Sequence, residues 1–256
     1  MCTAYRRARL VGMERIAVLA DIHGVLPALE AVLAEPDVRS ADVVVLAGDL
    51  AAGPQPVETL DLLVGLGSRA VWVRGNADRE LVSMARGEQL DPPDQVSPWA
   101  AAQLRPDQVE LLSTLPTSVT IGGALFCHAT PRDDEEVVLV DSPVNRWASV
   151  LDGVPDEVRT VVCGHTHMPF ARQVDRRLVV NAGSVGMPYG APLPSWALLT
   201  GSDVQLRRTA IDLTAAADRV AAESSYPDAA AWADEYVRTN YSDTEALAAF
   251  TPRAKG

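Results

Sequence analysis

The chain has 256 residues, of which 48% are hydrophobic and 22% charged, and its formal net charge at pH 7 is −12. This size and composition are typical of one globular domain or of one domain with an appendage, and no apolar run approaches the roughly 18 residues that a membrane-spanning helix needs. The acidic charge argues against nucleic acid as a partner, because no basic patch is present to displace counterions from a phosphate backbone.

The N-terminal end and the cysteines indicate a cytoplasmic protein. Residues 1–12 are predicted to be a disordered extension that carries arginines but no apolar signal-peptide core, and Met13 is a second candidate start of the native chain. The chain has three cysteines, and two of them, Cys127 and Cys163, lie in strand-like apolar runs where a buried, reduced thiol is expected.

The first 80 residues alternate between predicted strands and helices. Three β-branched runs end in polar residues and glycine, namely "RIAVLADIHG" (15–24), "ADVVVLAGDL" (41–50) and "AVWVRGNAD" (70–78). The segments between them carry apolar residues at helical spacing, so this part is predicted to be α/β with parallel strands. In such sheets ligand-binding residues gather at the carboxyl ends of the strands.

The rest of the chain is predicted to be less regular. Residues 86–115 read as a proline-containing excursion over the site, followed by a helix from Arg105. Strands with antiparallel character are predicted in "SVTIGGALFCHAT", "EEVVLV", "TVVCGHTH", "RRLVVNAGSVG", "SWALLTG" and "VQLRRTAI", with a hairpin turn at Gly122–Gly123. The expected division is a main domain over 13–212 and an alanine-rich helical segment over 213–256 that packs on it.

Polar residues at the strand ends form the main functional signal. All four histidines of the chain lie at predicted strand ends, beside a glycine, an aspartate or another histidine. A histidine beside one of these residues is common in ordinary loops, but the occurrence of all of them at strand ends favours a single functional site. The set comprises Asp21, His23, Asp49, Asn76, His128, His165 and His167.

The residue types in this set indicate a metal centre. Imidazole and carboxylate suit borderline divalent ions such as Mn, Fe, Zn, Ni or Co, and the absence of thiolates argues against a closed structural zinc site. The carboxylate of Asp49 is the candidate to bridge two metals, which together activate a water and clamp phosphoryl oxygens. The metals would also offset the repulsion between an acidic protein and an anionic substrate.

The order "DIHG … GDLAAG … GNAD … CHAT … GHTH" resembles the calcineurin-like metallophosphoesterases, and in particular their small YfcE-like phosphodiesterase branch. The resemblance runs from about Met13 to Ile211 and implies a four-layer α/β/β/α sandwich with two divalent metals, Mn²⁺ first among them. One metal would be held by Asp21, His23, Asp49 and His167, and the other by Asp49, Asn76, His128 and His165. It also implies catalytic roles for Asp49, Asn76 and His128.

One position departs from the family pattern. Many members have histidine where this chain has Ala77 in "GNAD", and that histidine is thought to protonate the leaving group. Since general acid catalysis contributes about 10²–10⁴-fold, its loss should matter least for aryl or otherwise stabilised leaving groups. Asp78 is a candidate replacement, although orientation of a metal ligand is the favoured role for it.

Contacts with the substrate are less well defined by the sequence. Asn76 and Arg132 are candidates to bind the phosphate, but Arg132 is equally suited to a salt bridge with a neighbouring aspartate, and Arg74 is undecided. Trp99 is expected to pack the excursion onto the body. The loop "NAGSVGMP" also resembles the family, and its Asn181 and Ser184 are expected to support the metal site.

The favoured function is therefore a dinuclear metal-dependent phosphodiesterase that acts on a small phosphate ester. Two alternatives stay open: a phosphomonoesterase or dinucleoside polyphosphate hydrolase, and a non-catalytic binding scaffold like the calcineurin-like subunit of retromer. Membrane and strong nucleic-acid binding are not expected, and a homo-oligomer is left open.

Overall fold

The computed structural model describes residues 15–92, 94–239 and 241–255. The predicted extension over residues 1–12 therefore lies outside the described residues. The strands are β1 Arg15–Leu19, β2 Val43–Ala47, β3 Ala70–Val73, β4 Ser118–Ile121, β5 Ala124–Cys127, β6 Thr160–Cys163, β7 Phe170–Val174, β8 Arg177–Asn181, β9 Ser195–Thr200 and β10 Asp203–Arg208.

The helices lie mainly in the first half and at the C-terminal end. They are α1 Leu26–Ala34, α2 Pro36–Arg39, α3 Pro56–Val64, α4 Asn76–Ala85, α5 Val96–Gln103, α6 Pro106–Ser113, α7 Val144–Val150, α8 Leu213–Glu223, α9 Ala229–Ala233 and α10 Asp243–Phe250. Short 3₁₀ turns occur at Gly67–Arg69 and Arg253–Lys255, and a π-helical turn at Asp234–Arg238 continues α9.

The strands form two five-stranded sheets. The first has the order β10-β9-β1-β2-β3, with β1, β2 and β3 parallel as predicted. The second has the order β4-β5-β6-β8-β7. Its β4–β5 hairpin is antiparallel as predicted, but the expected antiparallel character is wrong for β5, β6 and β8, which are parallel to one another. The helix α7 lies between β5 and β6 in the chain and forms the crossover that parallel pairing requires.

Alternating side chains of the strands sort the core into layers. On β1, Val18 points into an apolar cluster that also holds Phe126 and Val162 of the second sheet, so this cluster lies between the sheets. Leu19 points the other way, into a cluster shared with the helices of the first half and of the C-terminal segment. Trp147 of α7 covers the outer face of the second sheet. The predicted α/β/β/α architecture is thus confirmed.

Three local predictions are wrong. The run "EEVVLV" (135–140) is an irregular loop, because Val137 and Leu139 pack against Ala246 of the C-terminal segment instead of pairing with a strand. The excursion contains α5, whose proline lies in the first turn where its missing N–H costs nothing; the Asp94 side chain accepts from Ser97 N at 2.7 Å there. The edge strand β7 was missed, because only its end residues Phe170 and Val174 are buried and no continuous apolar run marks it.

The C-terminal segment packs on the body. Ala217 and Val220 of α8, with Trp232 and Val237, are buried in the cluster that covers the first sheet. No helix among the described residues is long and apolar enough to cross a membrane. Cys127 and Cys163 are free and buried, as predicted, and burial raises the pKa of the Cys163 thiol to about 12.

Candidate metal centre and cleft

The loops that follow β1, β2, β5 and β6 meet at one edge of the paired sheets. Backbone hydrogen bonds join them: His23 N donates to Asp49 O at 3.0 Å, and Gly164 N donates to His128 O at 2.8 Å. The loop after β8 completes the frame, since the Ser184 hydroxyl donates to Asp21 O at 2.7 Å. Strand ends far apart in the sequence therefore present their polar residues to a common point.

Five of the predicted ligands have left-handed backbone conformations. Their φ angles lie between 48° and 66°, a region that costs free energy for residues other than glycine, although Asp and His are enriched in it. Such conformations persist where the surrounding structure holds them, and they concentrate at functional sites. The five residues are Asp21, His23, Asp49, His165 and His167.

The glycines of the motifs allow the backbone to approach these side chains closely. A Cβ atom on Gly75 would lie 2.1 Å from Asp49 Oδ1, and one on Gly164 would lie 2.3 Å from Asp21 Oδ2. Both positions therefore need glycine for space rather than for an unusual φ. The glycines of "GNAD" and "GHTH" are thus part of how the two aspartates are held.

Asp21, His23 and His167 form the first of two candidate metal-ligand groups. The His23 Nδ1–H faces Ala52 O at 3.1 Å and the His167 Nδ1–H faces Met187 O at 2.8 Å, so each ring donates from Nδ1 and leaves Nε2 with a lone pair. The two Nε2 atoms lie 3.2 Å apart, and His167 Nε2 is 3.2 Å from Asp21 Oδ1. Three electron-pair donors therefore converge, which requires a cation or a proton among them.

Asp49, His128 and His165 form the second group. His128 Nδ1 lies 2.8 Å from Ala47 O, which fixes its Nε2 toward Asp49 Oδ2 at 3.3 Å and toward His165 Nδ1 at 3.3 Å. Asn76 is the first residue of α4, at the end of β3. Its buried Oδ1 has no hydrogen-bond partner among the described residues, while its Nδ2 donates to Glu80 Oε1 at 3.4 Å.

Asp49 stands between the two groups. Its Oδ2 lies 3.7 Å from His23 Nε2 and 3.3 Å from His128 Nε2, so one oxygen faces both. Its Oδ1 accepts from Ala77 N at 2.9 Å, which fixes the plane of the carboxylate. This is the placement that a bridging carboxylate needs.

Asp78 supports this arrangement from below. Its side chain is fully buried and accepts hydrogen bonds from the amides of Asp49, Leu50 and Gly75 at 2.9 to 3.0 Å. Burial and the neighbouring Asp49 charge raise the pKa of Asp78 to about 7. With both oxygens held by backbone amides, Asp78 has the geometry of an orienting group and not that of a proton donor to substrate.

Burial and the carboxylates divide the imidazoles by their pKa. Burial lowers the pKa of His165 to about 4 and also lowers that of His23. Burial alone would lower the pKa of His128 as well, but the Asp49 carboxylate outweighs it and raises this pKa to about 10. In the metal-free protein at neutral pH, a proton on His128 thus occupies the space between its Nε2 and Asp49.

The residues fit two divalent metal ions. The bare nitrogens, the unpartnered Asn76 oxygen and the shared Asp49 oxygen are all electron-pair donors of the kinds that borderline divalent ions bind. Each of His23, His128 and His167 is oriented by a backbone carbonyl on its other nitrogen, as is usual for metal-ligating imidazoles.

The structure does not bring the predicted arginines to this site. Arg132 is exposed and forks onto Glu136, with its Nη2 2.6 Å from Glu136 Oε1, and it lines a separate groove. Arg74 is paired with Asp134 at 3.0 Å. Strong carboxylate partners nearby thus hold both guanidinium groups, so the expectation that Arg132 binds the phosphate gains no support from the geometry.

A cleft of about 1640 Å³, including its open mouth, lies over the two groups. The metal-site residues form its floor, while α4, the start of α5 and the C-terminal segment form its walls. Sequence reasoning did not identify these residues as walls of a cleft. The local signals for them were the i+4 spacing of Glu80 from Asn76 and the helical spacing of Trp232 and Tyr236. They include Glu80, Asp94, Glu135, Tyr226, Asp228, Trp232, Glu235, Tyr236, Phe250 and Arg253.

Comparisons with known proteins agree with this geometry. Residues 14–203 match the model of the calcineurin-like phosphoesterase superfamily domain. Phosphodiesterase YfcE of Escherichia coli K12 is 27% identical over 73% of this chain and 88% of its own length. A symmetrical bis(5'-nucleosyl)-tetraphosphatase of Aliivibrio fischeri is 36% identical over 62% of this chain and 69% of its own length.

A solved structure has the same fold. The metallophosphoesterase from Sphaerobacter thermophilus superposes with a TM-score of 0.70 at 23% identity, over 87% of this chain and 98% of that one. The predicted family resemblance, including the similarity to YfcE, is confirmed.

Proposed function

Since the chain belongs to the calcineurin-like phosphoesterase superfamily, we propose that it is a phosphodiesterase with two divalent metals. In this proposal Asp21, His23, Asp49 and His167 hold one metal, and Asp49, Asn76, His128 and His165 hold the other. The observation that carries it is the position of Asp49 Oδ2 between the two groups, 3.7 Å from His23 Nε2 and 3.3 Å from His128 Nε2.

The chain's own residues then have distinct tasks. When bound, the metals supply Lewis acidity, a nucleophile at neutral pH and positive charge for the phosphoryl oxygens. Asp78 and the carbonyls of Ala47, Ala52 and Met187 hold the ligands in register. Glu80 accepts from Asn76 Nδ2 and so turns Oδ1 of that amide toward the site. No side chain that could donate a proton stands at position 77.

The charge around the cleft favours a singly charged diester over a polyphosphate. Arg253 is the single arginine or lysine among the described residues that line the cleft. Five carboxylates besides Asp49 line it, at Glu80, Asp94, Glu135, Asp228 and Glu235. A substrate with several phosphates would meet more repulsion from these charges than a diester, which brings one negative charge to the metals.

A dinucleoside polyphosphate hydrolase is the second candidate. Its support is the similarity to symmetrical bis(5'-nucleosyl)-tetraphosphatases and the position of Arg253, which lies over the Phe250 ring with Cζ 5.6 Å from the centroid. The scaffold alternative is disfavoured because the ligand residues converge with bare donor atoms. Manganese as the native metal, the cytoplasm as the location and a homo-oligomeric state remain predictions.

The first test compares kcat/KM of the Mn²⁺-loaded protein on bis(p-nitrophenyl) phosphate, p-nitrophenyl phosphate and diadenosine tetraphosphate. We expect the diester to be preferred over both others by at least about tenfold, because the cleft walls oppose additional negative charge. A preference for the tetraphosphate would replace the proposal by the second candidate. Failure to turn over any of the three, with metal bound, would favour a scaffold.

Metal binding should release protons. Because the Asp49 carboxylate raises the pKa of His128 to about 10, this ring is protonated at pH 7 without metal and must lose its proton to become a ligand. Affinity for Mn²⁺ is therefore expected to rise with pH from 6 to 8, by about tenfold per unit for one released proton. Calorimetry in two buffers of different ionisation enthalpy counts the protons, and a count of zero would contradict this assignment of His128.

A further inference from the structure

Ala77 lines the same cleft as a group of aromatic rings. Its side chain lines the cleft and belongs to the same apolar cluster as the buried Trp232 and the partly buried Tyr226 and Tyr236. Val96 at the start of α5 lines the cleft and joins the same cluster. Ala77, whose N donates to Asp49 Oδ1 at 2.9 Å, thus shares both the cleft and its apolar cluster with these rings.

Ring contacts hold these side chains in place. The Trp232 and Tyr236 ring centroids lie 5.1 Å apart at 46°, and Tyr226 packs on Trp99 of α5 at 5.2 Å. Tyr226, Trp232 and Tyr236 all come from the C-terminal segment, whereas the match to the family model ends at residue 203. This aromatic part of the wall thus lies beyond the residues that the family model matches.

From this juxtaposition we propose that Ala77, Tyr226, Trp232 and Tyr236 form a subsite for an aromatic alcohol, the leaving group of the phosphodiester. The inference rests on the proposed function and names the substrate class of the same site. A small residue at 77 leaves room for a planar ring, and tilted or offset aromatic contacts between such a ring and the wall add affinity. We call these four residues the ring subsite.

The chemistry at position 77 agrees with the same class of substrate. In hydrolysis, the oxygen of water forms a new bond to phosphorus, the bond from phosphorus to the aryl oxygen breaks, and its electron pair stays on that oxygen. The products are a phosphate monoester and the aryl alcohol, which leaves as phenolate while the proton lost by water goes to solvent. Because a phenolate is a stable anion, this step needs no proton donor, and Ala77 supplies none.

The test uses binding, which does not depend on turnover. Methyl phenylphosphonate and methyl methylphosphonate carry the same charge and differ by the ring. Their dissociation constants for the Mn²⁺-loaded protein can be measured by calorimetry for wild type, Tyr236→Leu, Tyr226→Leu and the control Phe250→Leu. Phe250 is a matched control because it lines the same cleft from the same segment but belongs to a different apolar cluster, with Tyr189.

We expect wild type to bind the phenyl probe about fivefold to tenfold more tightly than the methyl probe, the range that aromatic contacts supply. Both tyrosine variants should lose most of this preference with unchanged affinity for the methyl probe, and Phe250→Leu should keep it. No preference in wild type, or an equal loss for both probes, would overturn the ring subsite. If the preference holds but no diester is hydrolysed, the proposed function fails and the subsite stands.

Discussion

Asp49→Asn is expected to lower kcat/KM for the preferred diester by at least about 10³-fold, because the metals' stabilisation of transition-state charge amounts to several kcal/mol. In the wild type Asp49 Oδ1 accepts from Ala77 N at 2.9 Å, and the asparagine keeps an oxygen that can accept this hydrogen bond. It replaces the bridging oxygen by an NH₂ group that cannot ligate. The loop geometry should therefore survive while the shared ligand is lost.

The chain offers a closely matched control for this substitution. Asp175, between β7 and β8, has a φ of 51°, and Asp49 has a φ of 54°. Asparagine tolerates this left-handed conformation about as well as aspartate. Asp175→Asn therefore tests the same substitution, in the same backbone conformation, away from the cleft. We expect it to keep wild-type kcat/KM and metal content.

Metal content measured by mass spectrometry shows whether Asp49→Asn loses activity because it loses a metal. With Asp49 as the bridge, the variant should hold less than two metals per chain at a metal concentration that saturates wild type. A variant that retains two metals and more than a tenth of the wild-type activity would show that Asp49 is not the shared ligand.

The sequence predicted the convergence of the candidate ligands better than it predicted the cleft, for a physical reason. Each candidate ligand follows a strand whose apolar run is readable locally, and the carboxyl ends of neighbouring strands must meet. The convergence of Asp21 after β1 with His165 after β6, whose backbone amide donates to Asp21 Oδ2 at 2.9 Å, follows from the packing of two sheets. No local pattern shows that packing, but the order of the motifs implied it.

The cleft walls could not be predicted in the same way. Trp232 and Tyr236 have helical spacing, which indicates a packed face without saying against what. Their position in the wall of the cleft depends on how the C-terminal segment folds back over the first sheet. The prediction of a strand in "EEVVLV" is wrong for a related reason, because Val137 and Leu139 pack against Ala246 of the same C-terminal segment.

The fate of Arg132 illustrates the limit of reading charges from a sequence. Arg132 lies four residues beyond His128, which places it well along the chain to reach a phosphate. In the fold, Glu136 four residues later takes its guanidinium, and Ser149 O accepts from Nη1 at 3.0 Å. Arg132 therefore pairs with the nearest carboxylate, and the position of that carboxylate depends on how the loop after β5 turns.

Ala77→His is expected to shift the enzyme toward substrates with poor leaving groups. A histidine here introduces an imidazole beside Asp49, whose Oδ1 accepts from residue 77 N, and at the edge of the ring subsite. For 2,2,2-trifluoroethyl methyl phosphate, whose alkoxide needs protonation, kcat/KM should rise by at least about tenfold, a fraction of the 10²–10⁴ that a well-placed acid gives. For p-nitrophenyl methyl phosphate it should fall, because the imidazole fills the space that the ring occupies.

The ratio of the two rate changes tests both the missing proton donor at residue 77 and the binding of a ring next to it. Ala77→Gln is the control, because its side chain has a similar size but no imidazolium. Ala77→Gln should lower the aryl rate without raising the alkyl rate. A bell-shaped pH profile for the alkyl ester, present in Ala77→His and absent in wild type, would identify the imidazolium as the proton donor. Equal changes for both esters would mean that residue 77 faces neither the leaving group nor the ring, since a side chain beside the departing oxygen must affect the two leaving groups differently.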